Sequence, residues 1–201
     1  AAERRAKSID SLLADPRFAD RWTVFLSDIL RIRSNATGGN ALLAYIHKAL
    51  EQNRPWDQLA REMISANGTT GNAPAVGFIL GENTDPMALA AATAQMFLGV
   101  RMQCAQCHNH PFDVWKQKQF YELATYFGKT RRVENQFSRR VYTTEADATT
   151  VLWPPERRKP KGRKPVLPKF PIELDEYATV PGFIKRFKAK RAQLQVAAAD
   201  G

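Results

Sequence analysis

The chain has 201 residues, of which 44% are hydrophobic and 25% charged, and its formal net charge is +10. That length fits one domain, or one domain with an extension; no apolar run reaches the length of a membrane span, and no secretory signal peptide is visible. The charge is uneven, with 12 Lys/Arg against 5 Asp/Glu from Val151 onward and 18 against 15 before it, and no helix-turn-helix, zinc-finger or RNP-like pattern makes nucleic acid the expected partner.

The first two-thirds reads as helices. Asp15-Pro16 pairs an N-cap with proline at the first helical position. Phe18, Trp22, Phe25 and Ile29 then recur at helical spacing, with Leu26 and Leu30 beside them. A Gly38-Gly39 loop leads to a second helix with Asn40 as its N-cap and Leu42, Leu43, Ile46 and Leu50 as its apolar positions. Asn53-Arg54-Pro55 breaks it and starts a third, in which Trp56, Leu59 and Met63 share a face. Residues 67–84, rich in Gly, Asn and Thr, predict a long loop, a length that is often functional. Thr84-Asp85-Pro86 opens an Ala-rich helix to about Met102, whose weak polarity predicts burial. Helix restarts over Asp113 to Lys118, with Phe120, Leu123, Ala124 and Phe127 as its apolar face and Gly128 as its stop. Further on, Val141–Thr144 and Thr149–Trp153 are β-prone and predict a small hairpin. The Pro/Lys/Arg-rich stretch from Trp153 to Pro171 predicts extended chain. Pro181 to Val196 reads as a basic amphipathic helix carrying Phe183, Ile184, Phe187 and Leu194.

The only two cysteines lie three residues apart and a histidine follows them, as Cys104-Ala105-Gln106-Cys107-His108. This is the C-x-x-C-H pattern of covalent haem c attachment. Two thiols one helical turn apart can each add across a porphyrin vinyl group, and the next residue then lies under the iron as proximal ligand. With no third cysteine, a zinc site of four cysteines, or of three and a histidine, cannot form within one chain. Two other readings of these residues stay open. One is a C-x-x-C disulfide or redox pair, here without a thioredoxin-like βαβ setting. The other is a metal site drawn from Cys104, Cys107, His108 or His110, with Asp113 as a further donor.

On the haem reading, His108 is the proximal iron ligand, and the distal candidates are His47, Met63, Met87 and Met96; Met102 is too close in sequence to swing over. A Met ligand raises the potential relative to His, and an open sixth position allows small-molecule chemistry. His110 would point away from His108 in a continuous helix. Its options are a propionate, a haem in a neighbouring subunit, Asp113, or the backbone. Arg101, Arg31 and Arg54 are candidates to pair with propionates. Trp22, Trp56, Trp115, Phe112 and Phe120 supply aromatics for a haem crevice or for an ordinary core.

The run from Gln103 to Trp115, with its C-x-x-C-H-x-H-x-F-D block, and the aromatic-rich stretch Phe120–Phe127 behind it resemble one known family. It is the planctomycete-type cytochrome-c-like domain, known largely as a domain of unknown function. Arg5 to Ala19, Trp22, Asp28–Arg31 and Asn53–Gln58 fit the same resemblance, which spans roughly residues 3 to 130. It implies a secreted or envelope protein, and haem attachment implies an extracytoplasmic, periplasmic-type compartment. The expected organisation is mainly α: a helical haem-c-type domain of non-standard topology over 1–130, then a small β-hairpin and a basic extension over 131–201 that acts as linker or docking segment. The expected function is electron transfer by one covalent haem c, as a subunit or domain of a larger envelope assembly, without catalysis of its own. The basic tail would meet a redox partner or a larger complex. The alternative is a structural or interaction subunit whose motif forms a metal or disulfide clamp.

Overall fold

The computed structural model describes residues 2–155 and 162–172; the expected basic helix over 181–196 lies outside them. The chain divides into two compact units, Ala1–Lys169 and Phe170–Gly201, and the elements below belong to the first. Its helices are α1 Ala2–Leu13, α2 Pro16–Ile29, α3 Gly39–Glu51, α4 Trp56–Ile64, α5 Gly77–Gly81, α6 Pro86–Phe97 and α7 Gln117–Ala124. Its strands are β1 Gly68–Thr69, β2 Thr130–Glu134, β3 Val141–Glu145, β4 Leu152–Trp153 and β5 Lys164–Pro165. The class is therefore mainly α with small antiparallel sheets, as the sequence predicts.

Helix starts follow local chemistry. Asp15 and Asp85 each accept the backbone N–H two residues on, at 2.9 Å, with proline between. Arg17 also bonds both Asp15 oxygens, and that contact holds the Asp15 carboxyl down at about 2. The aromatic row of α2 behaves differently from its spacing. Trp22, Phe25 and Ile29 stay 41%, 46% and 42% exposed, while Ala19 and Thr23 are buried. The rings pack on one another, Phe18–Trp22 at 5.9 Å and Trp22–Phe25 at 5.2 Å between centroids. It is Leu26 and Leu30 that join the core.

Helix α3 is capped by Gly38, not Asn40. Gly38 has φ +80, a left-handed conformation that suits glycine, and it touches Gly77 backbone to backbone. A Cβ on Gly77 would lie 2.4 Å from the Gly38 oxygen, so α5 sits directly against the start of α3. This contact explains a second difference from expectation. Residues 67–84 are not one long loop. They hold β1, a 3₁₀ turn over Pro74–Val76 and α5, and Val76, Phe78, Ile79 and Leu80 are buried. A short helix that is apolar all round belongs inside a protein, and each fully buried large apolar side chain is worth about 1.5–3 kcal/mol.

Two cores lie on either side of α6. Leu89 and Ala92 pack with Leu42, Ile46, Leu59, Met63, Ile79 and Leu80. Ala90, Ala91 and Ala94 pack with Met102, Ala105, Phe120, Leu123, Ala124 and Val151. Small residues on every face let α6 serve both. The helix ends at Phe97, five residues short of the expected Met102. Gly99 turns the chain at φ +71, and Val100 N–H donates back to Ala94 O at 3.1 Å.

Helix α7 begins at Gln117, later than the expected Asp113, because the Asp113 carboxylate caps the N–H groups of a loop instead. A 3₁₀ turn over Thr125–Phe127 and Gly128 close it. The hairpin also pairs differently from expectation. β3 pairs with β2, from Thr130↔Glu145 to Glu134↔Val141, and not with residues 149–153. Asn135 sets the reversal, since its side chain accepts Phe137 N–H at 3.0 Å and Ser138 N–H at 2.9 Å. β1 completes a sheet of order β1-β3-β2, and β4 pairs with β5 from the Pro/Lys-rich stretch. Buried Thr143 donates to Asn67 Oδ1 at 2.7 Å, which ties the sheet to the end of α4.

Candidate functional site

After Gly99 the chain enters a 3₁₀ turn over Gln103–Gln106, closed by Cys107 N–H to Cys104 O at 3.4 Å. In 3₁₀ geometry side chains at i and i+3 eclipse, so Cys104 and Cys107 stand on one side of the turn. Both are unpaired and exposed. Ala105 between them and Met102 before them are fully buried in the second core. The turn is therefore pinned from below while its thiols face out.

The two histidines that follow hold different tautomers. His108 Nδ1 lies 2.6 Å from Asn109 O; a carbonyl only accepts, so Nδ1 carries the proton and Nε2 keeps a free lone pair. His110 Nδ1 accepts Phe112 N–H at 3.2 Å, so its proton sits on Nε2. Asp113 bonds neither ring. Its oxygens accept Val114 N–H at 2.8 Å and Trp115 Nε1–H at 2.9 Å, and His110 N–H donates to Trp115 O at 2.8 Å. Helix α7 steadies the loop. Asn109 Oδ1 accepts Gln117 N–H at 3.0 Å, and Gln106 O accepts from Gln117 Nε2 at 3.0 Å and Tyr121 OH at 3.4 Å. This scaffold of Gln106, Gln117 and Tyr121 is absent from the sequence reading. Its only sequence signal is polar residues on the first turns of a helix shortly after the motif. Phe112 and Val114 project from the loop 95% and 78% exposed, an unusual apolar display near two thiols and a free imidazole nitrogen.

The distal candidates lie in different surroundings. His47, on α3, has Nε2 2.9 Å from Asp20 Oδ1 on α2 and Nδ1 3.7 Å from Glu51. Met63 is fully buried in the first core and Met96 packs against it. Met87 packs against the second core, the one that holds Ala105. Arg54 bonds Glu62 and lies 5.4 Å from the Tyr45 ring centroid, so it serves the α3–α4 seam. Arg31 and Arg101 line a cleft of about 450 Å³ with Ala91, Gln95, Gln103 and Cys104. Of the aromatics, Phe120 is fully buried and Trp115 packs against the second core, while Trp56 packs on Phe97 at 6.0 Å.

Among the described residues no group of three or more His, Cys, Asp and Glu is placed to hold a metal ion, and no helix is long and apolar enough to cross a membrane. The residues at the motif fit a covalently held haem by their chemistry: two outward thiols on one face, an imidazole nitrogen free to ligate, and apolar side chains at the rim. The family model described as PSCyt2, protein of unknown function (DUF1549), matches residues 1–132, a span that takes in α1 to α7 and the whole motif. No curated protein and no solved structure matches the chain.

Proposed function

The chain belongs to the PSCyt2 family of proteins of unknown function, and from that premise we propose that it is an electron-transfer protein with one haem c attached covalently at Cys104 and Cys107. The observation that carries the reading is the poised His108, whose Nε2 is left free by the Nδ1–Asn109 bond next to two outward thiols. When bound, the haem iron supplies reversible one-electron chemistry between its ferrous and ferric states. Cys104 and Cys107 would hold the group through thioethers, each thiol adding as S–H across one vinyl, which needs no oxidant and releases no leaving group. His108 would give the iron a nitrogen ligand, and its bond to Asn109 O fixes the ring. Phe112 and Val114 cover apolar surface and exclude water. Met87, the distal candidate packed against the motif's own core, is the residue that would give the iron its other protein ligand. The basic stretch beyond Val151 docks an acidic redox partner or a larger envelope assembly, and attachment takes place in an extracytoplasmic compartment.

A spectroelectrochemical titration of protein made with the attachment machinery tests this reading. A single one-electron wave in the visible bands is expected, with the bands disturbed in His108→Ala. A colourless protein whose thiols titrate as a two-electron dithiol–disulfide couple would replace the electron carrier with the disulfide clamp.

A further inference from the structure

We propose that the aromatic face of α2 is a docking surface for a second copy of this chain, whose own α2 lies antiparallel across it. The pairing goes beyond electron transfer and does not depend on any group held at the motif.

Phe18, Trp22, Phe25 and Ile29 recur on one side of the helix, yet Ala19, Leu26 and Leu30 make its inward contacts. The stripe is left outside: Trp22, Phe25 and Ile29 are exposed and Phe18 is half-buried. A contiguous apolar surface rimmed by polar residues marks an interaction site, and Trp and Phe are among the residues enriched at the centre of interfaces. This stripe is also well ordered. Its three rings pack on one another, and the 2.9 Å contact of Asp20 Oδ1 with His47 Nε2 ties α2 to α3. Little side-chain freedom is left to lose when a second surface covers it.

Charge selects the occupant. Arg21 and Asp28 flank the stripe on the side of Phe25, two helical turns or about 10 Å apart along the axis. Both are exposed, and neither side chain has a hydrogen bond or ion pair among the described residues. The other charges of α2 are engaged, Arg17 with Asp15 and Asp20 with His47. One free cation and one free anion on the same flank suit neither an anionic membrane surface, which asks for a basic rim, nor a strongly charged partner. They suit their own copy. A two-fold axis midway between them reverses their order, so Arg21 of each copy stands opposite Asp28 of the other and both pairs form at once. The same register brings the two Phe25 rings to the axis and sets Ile29 of one copy against the gap between Phe18 and Trp22 of the other. A stripe of four side chains makes a small interface, at or below about 1,200 Å², so the expected dissociation constant is on the order of micromolar.

Sedimentation equilibrium of the full chain across the micromolar range, at low salt, tests the pairing. The parent should show a monomer–dimer equilibrium. Phe25→Glu, which sets like charges at the axis, should weaken it about tenfold or more. Arg21→Glu and Asp28→Lys should each weaken it about tenfold, because each turns two attractions into two repulsions. An equal mixture of these two single variants should recover the parent's association, since every pair across the mixed interface is then opposite in sign. All three positions are exposed, and circular dichroism establishes that each variant is folded. A dimer indifferent to Phe25→Glu, or charge variants that do not recover on mixing, would overturn the proposal. So would a parent that stays monomeric, and cosedimentation of that monomer with phosphatidylserine vesicles, lost in Phe25→Glu, would give the face to a lipid surface instead.

Discussion

His108 and His110, two residues apart, differ in where one proton sits. His108 donates through Nδ1 to Asn109 O, and His110 accepts through Nδ1 from Phe112 N–H. Only the first is left with the outward nitrogen that iron ligation needs. Nitrogen-15 NMR of the metal-free chain should therefore report the Nδ1–H tautomer for His108 and the Nε2–H tautomer for His110. His108→Ala should abolish proximal ligation, whereas His110→Ala should keep it. Matching tautomers, or a loss of ligation confined to His110→Ala, would reverse the assignment. The motif stands out in the sequence because its two cysteines and the following histidine have a fixed spacing, and the fold leaves both thiols free and exposed. The tautomers were not legible there, since they depend on which backbone group the loop turns toward each ring. Asp113 shows the same gap: its type suggests a ligand, but the fold gives both its oxygens to neighbouring N–H groups.

Between helices, the seam of α3 and α4 is closed by a charged cluster. Glu62 accepts from Arg54, from Tyr45 OH at 2.5 Å and from Gln58 Nε2 at 3.0 Å. The Arg54 bond, then that of Tyr45, holds the Glu62 carboxyl below its ordinary range. Burial first, and the hydrogen bond to Glu62 second, push the Tyr45 hydroxyl up to about 12. The signs are opposite. Stability from Glu62 is complete above the ordinary glutamate value of about 4.3 and is lost as pH falls through the lower folded value. Stability from Tyr45 is complete below about 10 and is lost as pH rises toward about 12. Tyr45→Phe should cost about 1 kcal/mol at neutral pH, measured by urea unfolding, and the gap between parent and variant should narrow above pH 10. A gap that is constant into the alkaline range would refute the coupling. Legibility again followed locality. Asp15-Pro16 and Asp85-Pro86 could be read because a cap and its helix are adjacent. α5 could not, because Gly, Asn and Thr ahead of it mask the apolar run from Ala73 to Leu80. Nor could the partner of β3, because Thr-Arg-Arg-Val-Glu in β2 carries little strand character of its own.

Across the first unit, α6 divides the interior, and the motif turn rests on the core that α6 shares with α7. The helical class was legible from periodicity and capping, but this arrangement was not, because an alanine-rich helix has no preferred face from which to read its neighbours. The result is a small outward platform: exposed thiols, the imidazole of His108 with its Nδ1 held by Asn109 O, and a cleft lined by Arg31 and Arg101 at the edge. Covalent haem is the claim on which the functional account turns. The direct measurement is the alkaline pyridine spectrum of the polypeptide, made where attachment machinery is active, after denaturation and acid-acetone extraction. The account predicts a reduced haem c spectrum that stays with the chain at one haem per polypeptide and disappears when Cys104 and Cys107 are both replaced by alanine. A chain that emerges from the extraction with no haem would contradict it.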